Sequence, residues 1–370
     1  MLVENYSDLY SAASELSKET AIGIDLEADS LFHYQEKVCL IQISTLRKNI
    51  LIDPLSLKDL SPLASIFADN KIRKIFHGSD YDIRSLYRDF SIKVKALFDT
   101  QLASRFLGYS RTSLADLLKD RFNVLIEKRY QKRDWSRRPL PEEMLTYAVK
   151  DTCHLLPLAE ILEKELAERE RLSWVEEECD LLSRVRPAPS NNEPLFIKFK
   201  GSGKLEPRGL AILEAILQLR DKIARLKDRP PFKVLGNRQI IEIIKKKPLS
   251  EKDFHLLSRG QIKSLGPSIL KSIERAMTIP EDKLPVLPKA KRKSFDSKVS
   301  RRIKALKEWR EQYAAMLGLD RSIVCTNSQI QSLALAGPST VKEMKGIEGI
   351  REWQRRVFGS KVCSILRSIE

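Results

Sequence analysis

Cysteine is scarce in this sequence of 370 residues. The five cysteines are scattered and form no C-x-x-C pair: Cys39, Cys153, Cys179, Cys325 and Cys363. This spacing excludes the common zinc-binding patterns and a disulfide framework. It favours a reducing compartment, so we expect a cytoplasmic protein without a disulfide-linked partner.

Long apolar runs are also lacking. No segment approaches the roughly 20 apolar residues that a membrane-spanning helix needs. The first segment, MLVENYSDLYSAASELSKE, carries acids where a signal peptide carries bases. We therefore expect neither membrane association nor export. An apolar content of 42% is sufficient for well-formed cores, and the length predicts two or three domains.

Charge is distributed unevenly along the chain. The net charge is +16, yet residues 1–185 hold 27 Lys and Arg against 31 Asp and Glu, whereas residues 186–370 hold 39 against 19. The first half is therefore slightly acidic and the second strongly basic. Because clustered Lys and Arg attract phosphates, the second half is predicted to contact nucleic acid. A basic surface that only aids solubility is the alternative.

Four acids and one tyrosine in the first half stand out by their spacing. Asp25 and Glu27 lie two apart in the apolar run AIGIDLEADS, so on a strand both carboxylates leave the same face. Tyr147 and Asp151 lie four apart in the helical stretch YAVKDTCHLL and share a helix face. Asp82 lies in FHGSDYDIRSL. Acids are depleted in strands, which favours a functional role for the first pair.

Gathered carboxylates repel each other unless a cation lies between them. Mg²⁺ and Mn²⁺ prefer oxygen ligands and would relieve that repulsion. Two such ions held about 3.5–4 Å apart form the clamp that many enzymes use to hydrolyse phosphodiesters. We therefore predict a nuclease with two divalent metal ions, Mg²⁺ or Mn²⁺, as its cofactors.

The order of the segments predicts an α/β domain followed by helical domains. AIGIDLEADS and VCLIQISTLRKNILIDP are typical of early strands, and KIF predicts a short strand that turns into a helix near Asp80. Ser79 or Asp80 is expected to cap that helix. From SLADLLKDRF onwards, apolar residues recur at helical spacing. Such a mixture predicts a mixed sheet with flanking helices.

Three motifs in order, I-D-L-E, H-G-x-x-x-D and Y-x-x-x-D, resemble those of ribonuclease D and, more broadly, of the DEDD exonuclease superfamily. The last motif is typical of its tyrosine-type subfamily. The resemblance covers about residues 1–180 and implies a ribonuclease H-like sheet and 3′–5′ exoribonuclease activity. It implies that Tyr147 positions or helps to activate the attacking water. The metal ligands that it implies are Asp25, Glu27, Asp82 and Asp151.

Further residues around these motifs are candidate substrate contacts. The family motif places its aspartate five positions after the histidine, which selects Asp82, counted from His77, over Asp80. His77 contacts the scissile phosphate or merely ends a strand. Leu26, between the acids of the first motif, is a candidate substrate contact. His154 is more typical of a structural histidine than of a site residue.

The basic stretch KRYQKRDWSRRPL precedes the third motif. Its Trp135 is a candidate for stacking on a base, which is worth about 1–3 kcal/mol, although burial is the commoner outcome for tryptophan. Its cations form a candidate rim that steers phosphates: Arg129, Lys132, Arg133, Arg137 and Arg138.

Proline-rich segments divide the C-terminal half into two helical units. Both units resemble the helicase-and-RNase-D C-terminal (HRDC) domain, the first through LRDKIA and DRPPFKVL, whereas the second lacks the double proline. The resemblance implies accessory nucleic-acid binding. The predicted organisation is an exonuclease domain at 1–185, a linker at 186–206, a first HRDC domain at 207–278, a basic linker at 279–296 and a second HRDC-like domain at 297–370.

The residues themselves predict metal-dependent hydrolysis of phosphodiesters. The resemblance implies an exoribonuclease that trims the 3′ ends of structured RNA such as tRNA precursors and releases nucleoside 5′-monophosphates. A DNA exonuclease of the same fold remains an alternative, because the motifs do not read the 2′-hydroxyl. A non-catalytic RNA-binding scaffold is another. A third is that the C-terminal half serves as a protein–protein adaptor.

Overall fold

The computed structural model describes residues 1–126, 128–189, 193–288 and 295–369. These residues divide into two units, each described by itself. The sheet unit comprises Met1–Ala28, Val38–Pro187 and the described residues from 295 onwards. The helical unit comprises Asp29–Lys37 and the described residues of 188–288. No helix in the described part of the chain combines the length and apolar character needed to cross a membrane.

Six strands form one mixed sheet in the order β1-β4-β3-β2-β5-β6. The strands are β1 (Leu2–Val3), β2 (Ala21–Ala28), β3 (Val38–Ser44), β4 (Asn49–Ile52), β5 (Arg73–Phe76) and β6 (Leu97–Asp99). Strands β2 and β3 are antiparallel, whereas β2–β5 and β5–β6 are parallel. The predicted α/β fold with a mixed sheet and flanking helices is confirmed.

Sixteen α-helices are present in the described residues. Before residue 190 they are α1 (Tyr6–Leu16), α2 (Ser61–Ala68), α3 (Asp80–Phe90), α4 (Thr100–Phe106), α5 (Leu114–Phe122), α6 (Glu142–Thr152), α7 (Leu155–Glu168) and α8 (Leu172–Ser183). After it they are α9 (Pro207–Leu226), α10 (Pro231–Val234), α11 (Asn237–Lys246), α12 (Arg259–Met277), α13 (Ser297–Leu317), α14 (Arg321–Val324), α15 (Asn327–Ala336) and α16 (Glu352–Arg367).

The central strands β2 and β3 are apolar because both of their faces are covered. In β3 every residue is buried, and in β2 the acids Asp25 and Glu27 interrupt an otherwise apolar strand. Asp25 pairs with Gln42 and Glu27 with Leu40 across the antiparallel ladder. The ladder shifts register directly after Glu27. The two acids therefore lie at the end of the regular pairing.

Helices α13–α16 share one hydrophobic core with the α/β part of the sheet unit. Trp174 of α8 stacks on Trp353 of α16, with ring centroids 4.7 Å apart and planes 12° apart. The Glu177 carboxylate accepts the backbone N–H groups of Glu352 at 2.7 Å and of Trp353 at 2.8 Å. A side chain of α8 therefore caps the N-terminus of α16.

The helical unit includes residues that the sequence had assigned elsewhere. Phe196 and Phe199, in the predicted linker, are buried in its core, so this part of the segment is folded. Tyr34, from the predicted exonuclease domain, donates a hydrogen bond to Asp221 of α9 at 2.8 Å. Residues 190–192 and 289–294, which fall in the two predicted linkers, lie outside the described residues.

Candidate active site

Strand β2 and helix α6 bring three of the predicted acids together. Carboxylate oxygens of Asp25, Glu27 and Asp151 all lie within 4.8 Å of one another. Asp25 and Glu27 leave the same face of β2, as their two-residue spacing predicts. Asp151 is buried on the face of α6 that packs on β2 and β3. The spacing predicts that each pair shares a face of its own element, and the structure places Asp151 of the helix pair next to the strand pair.

Asp82 lies in the first turn of α3, and the loop between β5 and α3 places this turn near the other acids. Gly78 in this loop has φ = +75°, a conformation that favours glycine. The Asp99 carboxylate accepts the backbone N–H groups of Gly78 and Ser79 and the Ser79 hydroxyl. The expected cap of α3 by Ser79 is not formed, because its hydroxyl bonds to Asp99 instead. Asp80 pairs with Arg84 on the surface.

The fourth acid lies close enough to the other three to affect their ionisation. Burial raises the pKa of Asp25 well above its usual value, and the charges of Asp82, Asp151 and Glu27 raise it further. Burial, with the charges of Asp151 and Asp82, does the same to the pKa of Glu27. Asp82 is itself buried, although it lies outside the group within 4.8 Å. The four acids thus form one electrostatic cluster.

The remaining two acids also hold protons more tightly than usual. Burial and the nearby charge of Asp99 raise the pKa of Asp82 to about 7. Burial raises the pKa of Asp151 to about 6, while a hydrogen bond from Tyr147 limits the rise. Carboxylates that are costly to ionise together are suited to a divalent cation, and all the donor atoms are oxygens. The donor set therefore fits Mg²⁺ or Mn²⁺.

Tyr147 lies beside the acids and remains protonated. Burial and the charge of Asp151, to which its hydroxyl donates a hydrogen bond, raise the pKa of this phenol. Its ring packs beside those of Tyr130 and Trp135, at centroid distances of 5.6 and 6.2 Å. The phenol is thus held at a fixed position, where it can orient a neighbouring group but not serve as a base.

A cleft of about 420 Å³ opens over these residues. Its walls include Leu26 and His77, together with Asp25, Glu27, Tyr147 and Asp151. The volume lies within the usual range of small-ligand pockets. The side chain of Leu26 is 8% exposed and forms part of the apolar wall. The structure thus places both predicted contacts, Leu26 and His77, in the same cleft as the acids.

His77 is tied to the end of β5. The Thr100 hydroxyl donates to the Phe76 carbonyl at 2.9 Å, so the His77 Nδ1–H must be the donor in its 2.9 Å contact with the Thr100 oxygen. Burial lowers the pKa of His77, which favours the neutral ring. A neutral ring with its proton on Nδ1 leaves Nε2 without a proton. A contact in which His77 donates to the scissile phosphate would need a second proton on the ring, and it stays a prediction.

The basic stretch before α6 separates into structural and exposed residues. Trp135 is fully buried, so it has no free face for a base, and the stacking expectation is corrected. Arg138 binds the buried Asp53 with Nε at 2.6 Å and Nη2 at 2.7 Å, so it is not free to steer phosphates. Arg133 and Arg137 are exposed and remain available to the rim.

Two residues at the site were missed by sequence reasoning. Asp99 holds the loop that precedes α3, the helix of Asp82, and its only signal in the sequence is the N-cap pattern at the start of α4. Gln42 is fully buried opposite Asp25, and its signal is an amide inside the apolar strand VCLIQIS. Neither residue lines the cleft, although the charge of Asp99 raises the pKa of Asp82.

Comparisons with known families agree with this arrangement. Residues 1–167 match the family model described as a 3′–5′ exonuclease. The HRDC domain model matches twice, over residues 209–273 and 300–366. Ribonuclease D of Bartonella henselae is 28% identical over 372 residues, which cover 99% of this chain and 90% of that protein. The chain spans only a third to about half of the longer RRP6-like proteins of Arabidopsis thaliana.

Solved structures are also similar. The catalytic core of RRP6 from Trypanosoma brucei is 31% identical, with a TM-score of 0.67 over 75% of this chain and 79% of that one. Escherichia coli RNase D, titled an exoribonuclease involved in structured RNA processing, is 24% identical, with a TM-score of 0.73 over 100% of this chain and 98% of that one. At this identity the second likeness shows the fold.

Proposed function

Because this chain belongs to the 3′–5′ exonuclease family and is a ribonuclease D-type 3′–5′ exoribonuclease with two HRDC domains, we propose that it trims the 3′ ends of structured RNA such as tRNA precursors. The products would be nucleoside 5′-monophosphates. The observation that carries this proposal is the convergence of Asp25, Glu27 and Asp151 in an open cleft, with Asp82 beside them.

The proposed metal ligands are Asp25, Glu27, Asp82 and Asp151, which would hold two divalent ions, Mg²⁺ or Mn²⁺. When bound, such ions polarise the phosphodiester, supply a nucleophile at neutral pH and stabilise the leaving oxygen. The raised pKa values of all four acids support the proposal, because clustered carboxylates that resist ionisation bind cations readily.

The protein's own groups would position the reactants. Tyr147 keeps its proton and its hydroxyl donates a hydrogen bond to Asp151, so the phenol oxygen has lone pairs that can accept a hydrogen bond from the attacking water. The apolar wall at Leu26 would pack against the terminal nucleoside. Fixing water and phosphate in this way lowers the entropic part of the barrier.

Exposed cations would hold the RNA outside the cleft. A second cavity of about 290 Å³ shares Tyr147 with the cleft; Arg129 and Lys150 line it together with the acids Glu142 and Glu143. Arg133 and Arg137 lie exposed before α6. In this arrangement the RNA backbone is gripped through its phosphates, whatever its sequence.

The second HRDC domain would add to this grip through one face of α13. Arg301, Lys304 and Lys307 are exposed, whereas Arg302 and Arg310 are buried and donate to the carbonyls of Ala334 and Cys325. Only the exposed cations are therefore proposed to contact RNA. The strong positive charge of residues 186–370 supports this role.

A cytoplasmic location is proposed on the chemistry of the cysteines. All five are free, and four of them are buried. Burial raises the pKa of the Cys179 thiol and raises that of Cys325 to about 12, which keeps both thiols unreactive. Free thiols of this kind are compatible with a reducing compartment.

The proposal is tested by timed digestion of a tRNA precursor labelled at its 5′ end, with Mg²⁺, Mn²⁺ or EDTA. We expect a ladder that shortens one nucleotide at a time from the 3′ end and disappears with EDTA. The control is Asp151→Asn, which keeps the size of the side chain but removes its charge. A matched DNA strand is the second substrate; faster digestion of DNA than of RNA would overturn the proposed substrate class.

A further inference from the structure

Gln42 is a buried amide that has no hydrogen-bond partner among the described residues. It lies in the middle of β3 and is fully buried, and neither its Nε2 nor its Oε1 makes a hydrogen bond within the described residues. A buried amide without partners lowers the stability of a fold. Such groups are rare in native proteins, and each calls for an explanation. An apolar residue of similar size would suit the surroundings of this strand better.

The position of Gln42 places it beside the acidic cluster. Gln42 is the direct cross-strand partner of Asp25, and directly opposed residues of an antiparallel pair point to the same face with Cβ atoms about 4.5–5.5 Å apart. Two residues before it on that face, Leu40 packs with Tyr147 and Ala148 of α6. The amide therefore lies beneath α6, next to the carboxylate of Asp25.

The neighbouring Ser44 is a buried polar residue on the same face that has a structural role. Ser44 follows Gln42 by two residues, is equally buried, and lies with its Oγ 2.6 Å from Thr152 Oγ1 of α6. Its hydroxyl is satisfied and joins the strand to the helix. Gln42 makes no such connection, so packing of α6 on the sheet does not account for an amide at this position.

We propose that Gln42 is a positioning residue for Asp25: its amide donates a hydrogen bond to the Asp25 carboxylate when that carboxylate holds a divalent cation. The inference rests on the proposed function, since it requires the cation. A donor on the oxygen that faces away from the cation fixes the orientation of the ligand and keeps it ionised. Partners of this kind typically contribute a factor of 10–100 to metal affinity.

The test compares Gln42→Met with the matched control Ser44→Ala. Calorimetric titration of the metal-free proteins with Mn²⁺ should show an affinity about 10–100-fold lower for Gln42→Met and nearly unchanged for Ser44→Ala. In urea unfolding of the metal-free proteins, Ser44→Ala rather than Gln42→Met should be the variant with the lower midpoint. The midpoint should be unchanged or higher for Gln42→Met, which removes an unsatisfied amide, and lower for Ser44→Ala, which loses a hydrogen bond.

Activity provides a second measurement. In Gln42→Met, the Mn²⁺ concentration for half-maximal activity should rise by the same factor as the dissociation constant, while the KM for RNA at saturating Mn²⁺ stays unchanged. Gln42→Leu repeats the test with a second apolar residue. Unaltered metal affinity in either variant, or a urea midpoint that falls in both, would overturn the inference. A wild-type protein that binds no Mn²⁺ would instead refute the proposed function.

Discussion

Asp99 holds Ser79 through two hydrogen bonds to one carboxylate oxygen. The backbone N–H of Ser79 donates to Oδ2 at 2.7 Å and its hydroxyl donates at 2.8 Å. The other oxygen accepts the N–H groups of Gly78, Gln101 and Leu102. One buried side chain therefore both caps α4 and fixes the loop that leads into α3, the helix that carries Asp82.

Replacement of this carboxylate should unfold the loop. We expect Asp99→Ala to lower the free energy of unfolding by about 3 kcal/mol, because it removes a helix cap and leaves several buried donors unsatisfied. Urea denaturation measures the change. The control, Asp80→Ala, removes a carboxylate that is 58% exposed and pairs with Arg84 at the surface, so its cost should stay below about 1 kcal/mol. Equal costs for the two variants would contradict this role of Asp99.

The same two positions of α3 distinguish the proposed ligand from its neighbour. Asp82→Asn should reduce kcat by at least about 10²–10³-fold, because the site loses one of its four charges while the fold is kept. Asp80→Asn should leave kcat nearly unchanged, since its carboxylate pairs with Arg84. Single-turnover digestion of labelled RNA at saturating metal gives both rates. The reverse order would assign the ligand to Asp80.

Stability should depend on pH in a direction set by the raised pKa values. The pKa is about 7 for Asp82 and about 6 for Asp151, against 3.8 for an ordinary aspartate. The folded protein therefore binds these protons more tightly than the unfolded chain does. Their contribution to stability is complete below about pH 4 and is lost as the pH rises to about 7.

Divalent metal should reverse this loss, because it binds the ionised carboxylates. At a fixed Mg²⁺ concentration, the rise in Tm over the metal-free protein should be larger at pH 8 than at pH 5.5. Differential scanning fluorimetry at both pH values, with and without Mg²⁺, measures it. Asp25→Asn should raise the metal-free Tm at pH 8 and abolish the metal effect. A metal-induced shift that is larger at pH 5.5 would be inconsistent with the cluster described.

The arginines before α6 should separate into two classes. Arg138→Ala leaves Asp53 buried and unpaired, so it should cost about 3–5 kcal/mol of stability. Arg137→Ala removes a side chain that is 81% exposed, so stability should change little. It should instead lower the slope of log affinity for single-stranded RNA against log salt by about 0.7. Fluorescence anisotropy with Asp151→Asn as the background measures this slope without digestion.

Local periodicity was sufficient to predict much of the site. The two-residue spacing of Asp25 and Glu27 and the four-residue spacing of Tyr147 and Asp151 each place a pair of side chains on one face, whatever the rest of the fold. The α/β class followed from the same patterns, and the order of the motifs pointed to the family. These patterns predict the strand or helix on which a residue lies and the face that it occupies.

Partners distant in sequence could not be inferred in that way. The pairing of Arg138 with Asp53 joins residues 85 apart, and nothing near either residue indicates the other. Trp135 lies among six cations in the sequence, yet it is buried by apolar residues of β3, β4 and α6. Gln42 resembles any strand glutamine until its cross-strand partner and its missing hydrogen bonds are known.

The stacking of Trp174 on Trp353 has a consequence for folding during translation. These residues are about 180 positions apart, and translation proceeds at about 5–20 residues per second. Trp353 is therefore synthesised roughly 10–40 s after Trp174. Until then the apolar surface around Trp174 and Phe106 is uncovered on the nascent chain, where it is open to chaperones and to proteases. Helix α16 is far from the acids in sequence, yet its synthesis is needed to complete the hydrophobic core of the unit that carries them.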